Sequence, residues 1–149
     1  MQNSNQFIVT EPASDSDFET YYTLRFNVLR KPWGHQKGSE IDETDPVSIH
    51  AFIKVNGEAI AVSRLHFVDE NTGQIRYMGV HGDYQGKGVG RMVLTYLEKR
   101  CVENGRKKMI LHARENAVKF YESCGYTIKE TSYLLWGQIP HWLMEKQLA

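Results

Sequence analysis

A glycine-rich stretch between a predicted strand and a long amphipathic helix restricts the fold of this chain more than any other segment. Three alternate glycines, Gly86, Gly88 and Gly90, follow a short apolar strand. Apolar residues then recur at helical spacing over residues 88–104, and the apolar run at residues 108–113 predicts a further strand. Strand, helix and strand in this order predict a right-handed crossover that joins two parallel strands.

The rest of the chain predicts more strands and helices around this unit. In the first helix, Glu19 and Arg25 are expected to face water, and Asn56-Gly57 is a two-residue hairpin turn. Residues 31–48 combine proline, glycine and charges, which predicts mostly loop. Strands are predicted at 7–9, 49–55, 59–68, 74–80, 126–132 and 141–148, and two further helices at 17–29 and 115–124, so that one mixed sheet carries helices on its faces.

The composition excludes several classes of protein. At 149 residues, with 41% hydrophobic and 24% charged residues, the chain suits a single folded domain, 1–149. Lysine plus arginine equals aspartate plus glutamate at 18 each, so no global positive field would hold a nucleic acid. The sequence shows neither a signal peptide nor a membrane-spanning apolar run, and we expect a cytoplasmic protein without a membrane partner.

Cysteine and histidine spacing gives no metal motif. Cys101 and Cys124 lack C-x-x-C spacing, and the six histidines lack H-x-x-x-H spacing. We therefore expect free thiols and no metal site.

The glycine-rich stretch has the chemistry of an anion site. Backbone N–H groups and the positive end of the helix dipole meet where the helix begins, and Lys87 and Arg91 add positive charge. A P-loop would need Ser or Thr after Gly86-Lys87, and a Rossmann fingerprint would need a third glycine at position 91. Both motifs are disfavoured, which leaves another phosphate site or a loop without a ligand.

Two segments together resemble one known family. Gln85-Gly86-Lys87-Gly88-Val89-Gly90 resembles the Q-x-x-G-x-G motif of the GCN5-related N-acetyltransferase (GNAT) superfamily. Residues 116–126, which contain Asn116, Ala117, Phe120-Tyr121 and Gly125-Tyr126, resemble a second segment of that family. The resemblance is close over residues 74–126. It implies an α/β (α+β) fold with a mostly antiparallel sheet of six to seven strands, helices on both faces and a β-α-β core that binds acetyl-CoA.

The resemblance also implies a site and a mechanism. The strand at Met78 and Val80 should carry a bulge and bind the pantetheine arm, and a main-chain N–H near Val80 should stabilise the oxyanion. An amine attacks the thioester directly, and Tyr121 protonates the leaving thiolate. The residues expected to bind acetyl-CoA are Met78, Val80, Gln85, Gly86, Lys87, Gly88, Val89, Gly90, Arg91, Asn116 and Tyr121.

The general base is left open. Many relatives place a glutamate on the strand that corresponds to residues 74–80, where this chain has only Gln74, Arg76 and Tyr77 as polar candidates. A relayed water would serve instead. The other candidates are His66, His112, Glu40 and Asp42.

The acceptor and the assembly are also left open. The resemblance implies a small-molecule amine or a peptide amine as acceptor, and it allows a homodimer formed through exposed terminal strands. The acidic cluster Glu40, Asp42, Glu43 and Asp45 would suit a cation, whereas nearby basic residues would suit a carboxylate (Lys31, His35, Lys37 and Arg76). The alternative function is a sensor or partner module that binds acetyl-CoA without turnover.

Overall fold

A computed structural model describes residues 7–135 and 139–148. The three α-helices are α1 (Asp15–Leu29), α2 (Val89–Glu103) and α3 (Val118–Ser123). The strands are β1 (Val9–Thr10), β2 (Ile49–Val55), β3 (Glu58–Phe67), β4 (Thr72–Val80), β5 (Lys108–Arg114), β6 (Thr127–Leu135) and β7 (Ile139–Gln147).

The seven strands follow the order β1-β2-β3-β4-β5-β7-β6 in one sheet. Antiparallel pairs join β1 to β2, β2 to β3, β5 to β7 and β6 to β7. β4 and β5 are parallel, with Thr72 opposite Lys108 and Ile75 opposite Leu111. The predictions of a mixed, mostly antiparallel sheet and of a crossover between parallel strands are confirmed.

Local sequence signals explain where most elements begin and end. The Ser14 side chain accepts a hydrogen bond from the Asp17 N–H at 3.1 Å, so that α1 begins two residues earlier than predicted. Asn56 and Gly57 both have positive φ, as the predicted hairpin turn requires. Residues 31–48 contain only two short 3₁₀ turns, Lys31–Trp33 and Asp45–Val47, and are otherwise loop, as predicted.

The end of the chain differs slightly from the prediction. β6 continues to Leu135 and β7 begins at Ile139, so the two strands are longer than the sequence pattern suggested. Of the predicted connection at 136–140, residues 136–138 lie outside the described residues. None of the helices formed by residues 7–135 and 139–148 has the length and apolar character of a membrane span.

The chain divides into two compact units. Unit 1 comprises Met1–His66 and Tyr77–Leu97, and unit 2 comprises Phe67–Arg76 and Glu98–Ala149. The single domain over 1–149 stays a prediction.

The core of unit 1 contains one residue that the sequence pattern misplaced. The apolar side chains of α1, β2 and β3 form its centre, and Gly79 of β4 approaches them closely, since a Cβ there would lie 3.5 Å from Val28 and 3.6 Å from Val62. Arg25, which was expected to face water, is fully buried on the same face of α1. The prediction for Arg25 is wrong because its charge is paired inside the unit. The buried apolar cluster is Tyr21, Leu24, Phe52, Ala59 and Val62.

Unit 2 has its own apolar core. The C-terminal part of α2, β5, α3 and β7 contribute buried side chains to it, and the Tyr126 hydroxyl donates a hydrogen bond to Glu98 at 2.8 Å. The Lys146 ammonium binds the same carboxylate at 3.2 Å. Both cysteines are buried free thiols. The main buried apolar residues are Cys101, Met109, Leu111, Tyr121, Tyr126 and Met144.

Candidate functional site

The glycine-rich loop of unit 1 ends where α2 begins. Gly86 and Gly88 have φ values of +78° and +80°, a left-handed backbone that other residues adopt at a cost. A Cβ at either position would meet nothing within 4 Å among the described residues, so both glycines border open space. The Met92 N–H donates to the Gly88 carbonyl at 3.1 Å, which makes this the first hydrogen bond of the helix. The N–H groups of residues 89–91 therefore have no acceptor within α2, as at any helix start.

The charged residues of the loop are exposed. Lys87 and Arg91 lie at the solvent-facing surface of this segment, together with Gln85. Val89 and Gly90, in contrast, are buried and anchor the first turn of α2. The loop thus combines backbone donors and two cations beside open space, which is the arrangement that anion sites at helix N-termini share.

β4 carries a backbone irregularity just before the residues predicted to bind pantetheine. Tyr77 has a φ of +58°, whereas Met78, Gly79 and Val80 have no positive φ. A positive φ at a bulky residue costs about 1–3 kcal/mol and needs support from its surroundings. The irregularity lies one residue before the segment, Met78 to Val80, where the family resemblance predicts a bulge, and the bulge itself stays a prediction.

The support comes from the side chain of Tyr77. Its ring centroid lies 4.2 Å from the Arg25 Cζ, 4.9 Å from the Arg64 Cζ and 5.5 Å from the Arg30 Cζ. The hydroxyl donates to Asp42 Oδ2 at 3.1 Å. Cation–π contacts of desolvated arginines are worth about 2 kcal/mol each, enough together to hold a strained residue. The ring of Tyr77 thus fixes the backbone of β4 immediately ahead of Met78.

Two arginines and two aspartates form a buried ion cluster behind this ring. Arg25 Nη1 donates to both carboxylate oxygens of Asp45, at 3.0 and 3.1 Å. Arg64 Nη1 donates to Asp45 Oδ1 at 3.1 Å and to Asp42 Oδ1 at 2.6 Å. Both arginines are fully buried, and the Asp42 N–H closes the cluster by donating to Asp45 Oδ2 at 2.7 Å. The cluster ties residues 42–45 of the loop to α1 and β3.

Charge compensation sets the protonation of this cluster. Burial alone would raise the pKa of Asp42, but hydrogen bonds from Arg64 and Thr44 outweigh it and hold the pKa well below its usual range. His50 lies beside the cluster, with Nδ1 2.8 Å from the Tyr21 hydroxyl and Nε2 2.8 Å from the Asp45 carbonyl. Burial, opposed by the Asp45 carbonyl and assisted by the nearby Arg25, lowers the pKa of His50. His50 is therefore neutral at pH 7.

The lowered pKa of His50 predicts a loss of stability in mild acid. Below pH ~6.5 the unfolded chain binds a proton that the folded protein does not bind. The free energy of unfolding therefore decreases as the pH is lowered. Urea unfolding measured at pH 7.5 and at pH 5.5 should show that the free energy of unfolding decreases less between the two pH values in His50→Gln than in the wild type. His81→Gln, at an exposed histidine, should behave as the wild type does. An equal loss in His50→Gln and the wild type would contradict the prediction.

Unit 2 holds the other two residues of the predicted site. Asn116 is exposed in a 3₁₀ turn, Glu115–Ala117, that leads into α3. Tyr121 lies on α3 and is 7% exposed, with its ring centroid 5.1 Å from that of Phe120 and 5.9 Å from that of Tyr126. Burial raises the pKa of Tyr121, so its hydroxyl keeps its proton at neutral pH.

The four candidate bases are in different surroundings. Glu40 is buried, accepts the Gly38 N–H at 2.7 Å and pairs with the Lys37 ammonium at 3.3 Å. Asp42 is held as a weakly basic carboxylate by Arg64. His66 and His112 are half-buried, and burial, together with neighbouring positive charge, lowers the pKa of His112. None of the four is assigned as the base.

An open pocket of about 480 Å³ lies in unit 1 beside the ion cluster. Its wall comes from the segment before α1, the first half of α1, the loop at residues 41–48 and the start of β2. The lining residues are Glu11, Pro12, Phe18, Tyr22, Ile41, Asp42, Asp45, Pro46, Ser48 and His50. Among the described residues, no group of three or more His, Cys, Asp or Glu side chains is arranged to hold a metal ion.

Sequence reasoning missed the ion cluster, although two signals point to it. Arg64 stands inside the mostly apolar run of β3, and Arg25 follows Tyr21 by one helical turn on the apolar face of α1. A charge at such a position is buried only when it is paired, and the partners lie in a loop that has no periodic pattern. The acidic residues of that loop were considered only as a surface for ligands or as candidate bases, whereas Asp45 is a buried structural counterion.

Comparisons with known proteins agree with this architecture. A Bacillus subtilis protein provisionally named as an acetyltransferase is 28% identical over 142 residues, which cover 93% of this chain and 95% of that protein. The crystal structure of a protein from Lactobacillus plantarum, provisionally named as an N-acetyltransferase, has a TM-score of 0.84 and 26% identity over 96% of this chain and 99% of that chain. An aminoglycoside 6′-N-acetyltransferase complexed with coenzyme A has the same fold, with a TM-score of 0.80 and 16% identity over 95% of this chain and 97% of that chain.

The family follows from the sequence match. Residues 14–126 match the model of the acetyltransferase (GNAT) family. The chain belongs to this family, and it is an acyltransferase.

Proposed function

We propose that this protein transfers the acetyl group of acetyl-CoA to a primary amine by direct attack within a ternary complex. The observation that carries the proposal is the glycine-rich loop, where Gly86 and Gly88 adopt a left-handed backbone beside open space at the start of α2. This geometry leaves backbone N–H groups available to an anion, and the helix dipole favours the pyrophosphate of a coenzyme.

The coenzyme would bind along the loop and β4. Backbone N–H groups from Gly86 to Arg91 would surround the pyrophosphate, with Gln85 and the exposed Lys87 beside them. Met78 and Val80 would bind the pantetheine arm through main-chain groups, as an added strand binds a sheet edge. The Val80 N–H would donate to the oxyanion, and Asn116 would contact the coenzyme through its side chain.

The reaction would need no covalent enzyme intermediate. The neutral amine attacks the thioester carbon, the tetrahedral intermediate collapses, and the carbon–sulfur bond breaks. Tyr121 would donate its proton to the departing thiolate of coenzyme A, and burial keeps its hydroxyl protonated at neutral pH before that step. The proton lost by the amine would leave through a water relay, because the two acidic candidates are held in ion pairs.

Tyr121→Phe should lower the turnover number at least ~10-fold, because positioned acids contribute about 10²–10⁴-fold. The affinity for acetyl-CoA should stay within a factor of about three, since the ring remains in place. The measurement is the release of coenzyme A at saturating acetyl-CoA. Tyr126→Phe removes a neighbouring hydroxyl that binds Glu98, and it should lose stability without a comparable loss of turnover. Unchanged turnover in Tyr121→Phe would remove Tyr121 from this role.

The proposal is tested by calorimetric titration with acetyl-CoA and with pantetheine. Micromolar binding of acetyl-CoA, with much weaker binding of pantetheine, would support a pyrophosphate site at the loop. The same protein is then assayed with a panel of primary amines. Absence of acetyl-CoA binding would refute the proposal, and tight binding without transfer to any amine would favour a coenzyme sensor instead.

A further inference from the structure

Met78 and Val80 turn their backbone groups away from β3. The His81 N–H donates to the Ile60 carbonyl of β3 at 2.8 Å, so the backbone of His81 faces that strand. Backbone groups point to alternate sides along a strand, which directs those of Val80, and of Met78 two residues earlier, to the opposite side. These are the main-chain groups that would bind the pantetheine arm and the oxyanion. Their direction therefore decides whether β4 can bind the coenzyme.

The direction of these groups depends on the conformation of Tyr77. The φ of Tyr77 is +58°, whereas Met78, Gly79 and Val80 have no positive φ. A strand residue with positive φ interrupts the regular alternation, so the sides to which the following residues point are reset there. With an extended backbone at position 77, the groups of Met78 and Val80 would lose their present direction.

The ring of Tyr77 is held by side chains that are themselves fixed. Arg25 and Arg64, whose Cζ atoms lie 4.2 and 4.9 Å from the ring centroid, are fully buried. Asp45 Oδ1 accepts from the Nη1 atoms of both arginines, at 3.0 and 3.1 Å. The Tyr77 hydroxyl donates to Asp42 at 3.1 Å. Since packed, paired groups in a core leave little room for movement, the support for the positive φ is part of the core of unit 1.

A ring in this core is thus joined to the main-chain groups that follow it in β4. We propose that Tyr77 is a positioning residue for acetyl transfer, whose ring holds β4 in the conformation that aims Met78 and Val80 at the coenzyme. The contacts with Arg25 and Arg64 are made by the ring, so the positioning role belongs to the ring and not to the hydroxyl. The inference rests on the proposed function, because Met78 and Val80 bind the coenzyme only under that proposal.

Three substitutions separate the hydroxyl, the ring and the backbone conformation. Tyr77→Phe keeps the ring and should bind acetyl-CoA within a factor of about three of the wild type. Tyr77→Leu places a residue that disfavours positive φ at this position, and it should raise the dissociation constant at least ~10-fold. Tyr77→Asn also lacks the ring, but asparagine adopts positive φ more readily, so it should bind at least ~3-fold more tightly than Tyr77→Leu. Calorimetric titration with acetyl-CoA measures all three.

Stability distinguishes positioning from simple packing. Tyr77 is half-buried, so Tyr77→Leu and Tyr77→Asn should both unfold at lower urea concentrations than the wild type, and the polar asparagine should be the less stable of the two. A purely structural role would make affinity follow stability, whereas positioning reverses the order. Tyr77→Met keeps more of the side-chain volume and replaces Tyr77→Leu in this comparison if the latter does not fold. An affinity of Tyr77→Asn equal to or lower than that of Tyr77→Leu would overturn the proposal.

The backbone of β4 can be followed without the coenzyme. NMR chemical shifts of the free protein report φ, and they should show a positive φ at position 77 in the wild type, Tyr77→Phe and Tyr77→Asn but not in Tyr77→Leu. Tyr22→Leu is the matched control, because the Arg25 Cζ also lies 5.0 Å from the Tyr22 ring, which belongs to α1. This control should keep the wild-type shifts of Met78 and Val80 and the wild-type affinity for acetyl-CoA. A positive φ retained in Tyr77→Leu would overturn the proposal.

Turnover with an amine from the panel completes the test. Tyr77→Leu should lower kcat as well as raise the KM for acetyl-CoA, since a displaced Val80 N–H no longer meets the oxyanion. Tyr77→Phe, the conservative variant, should retain kcat within a factor of about three. A large loss of kcat in Tyr77→Phe would make the hydroxyl the acting group and overturn the inference. Failure of the wild type to bind acetyl-CoA would refute the proposed function, whereas equal affinities of the wild type and Tyr77→Leu would refute only this inference.

Discussion

Asp45→Asn should lower the free energy of unfolding by about 3–5 kcal/mol, the usual cost of removing one partner of a buried ion pair. Asp45 accepts hydrogen bonds from Arg25, Arg64 and the Asp42 N–H. The asparagine keeps the shape of the side chain but leaves two fully buried guanidinium groups with one carboxylate between them. Since domains of this size are stable by about 5–15 kcal/mol, urea unfolding at pH 7 should show a large shift in midpoint.

The matched control is Glu43→Gln, which removes a carboxylate two residues away. Glu43 is exposed, and its substitution should change the free energy of unfolding by no more than about 0.5 kcal/mol. Combining Asp45→Asn with Arg25→Met should cost less than the sum of the two single changes, because the second change removes one of the stranded charges. A loss below about 1 kcal/mol in Asp45→Asn would mean that water or a neighbouring group compensates the arginines.

Gly88→Asp should weaken acetyl-CoA binding at least ~100-fold, whereas Gly88→Asn should weaken it less than ~10-fold. Asparagine and aspartate both tolerate a positive φ better than most residues, and nothing among the described residues lies within 4 Å of a Cβ at Gly88. The two variants therefore share their steric and backbone costs and differ in charge. A carboxylate about 4 Å from the pyrophosphate is repelled by about 4 kcal/mol at an effective dielectric constant of 20. Calorimetric titration measures the difference.

Gly105→Asp is the control for the position of the added charge, because it places the same carboxylate at a glycine outside the glycine-rich loop. Gly105 follows α2, has a φ of +81° and also borders open space among the described residues. The variant should have the backbone strain of Gly88→Asp with wild-type affinity for acetyl-CoA. The urea midpoints of all three variants are compared first, so that a loss of binding is not mistaken for unfolding. Equal affinities of Gly88→Asp and Gly88→Asn for acetyl-CoA would mean that the pyrophosphate does not bind at this loop.

Local signals were enough to predict most of the fold. The Asn56-Gly57 turn and the predicted strands on either side of it define one hairpin, and the apolar face of α2 with its C-terminal Gly105 defines the crossover helix. These signals work because a turn or a helix end is decided by a few residues that are adjacent in sequence. The boundaries of α1 and β7 were less accurate, because capping and pairing partners add or remove residues at element ends.

The parts of the site that depend on distant contacts were not predicted. Arg25 was placed in water because its own neighbours in sequence do not reveal Asp45, twenty residues further along in a loop without periodicity. The positive φ of Tyr77 could not be read from a strand pattern either, since the guanidinium groups that support its ring come from α1 and β3. For the same reason the pocket has no sequence signature of its own.

The sequence by itself determined the order of the elements, the β-α-β crossover and the glycine-rich loop at the start of α2. Each of these features depends on residues that lie close together in the sequence. The sequence also identifies the GNAT family, because residues 14–126 match the model of that family. Only the tertiary structure decided which charges are buried, which carboxylates face the pocket and how the backbone of β4 bends at Tyr77. Burial and charge pairing are set by side chains that meet in space from distant parts of the chain, and no local pattern encodes their meeting.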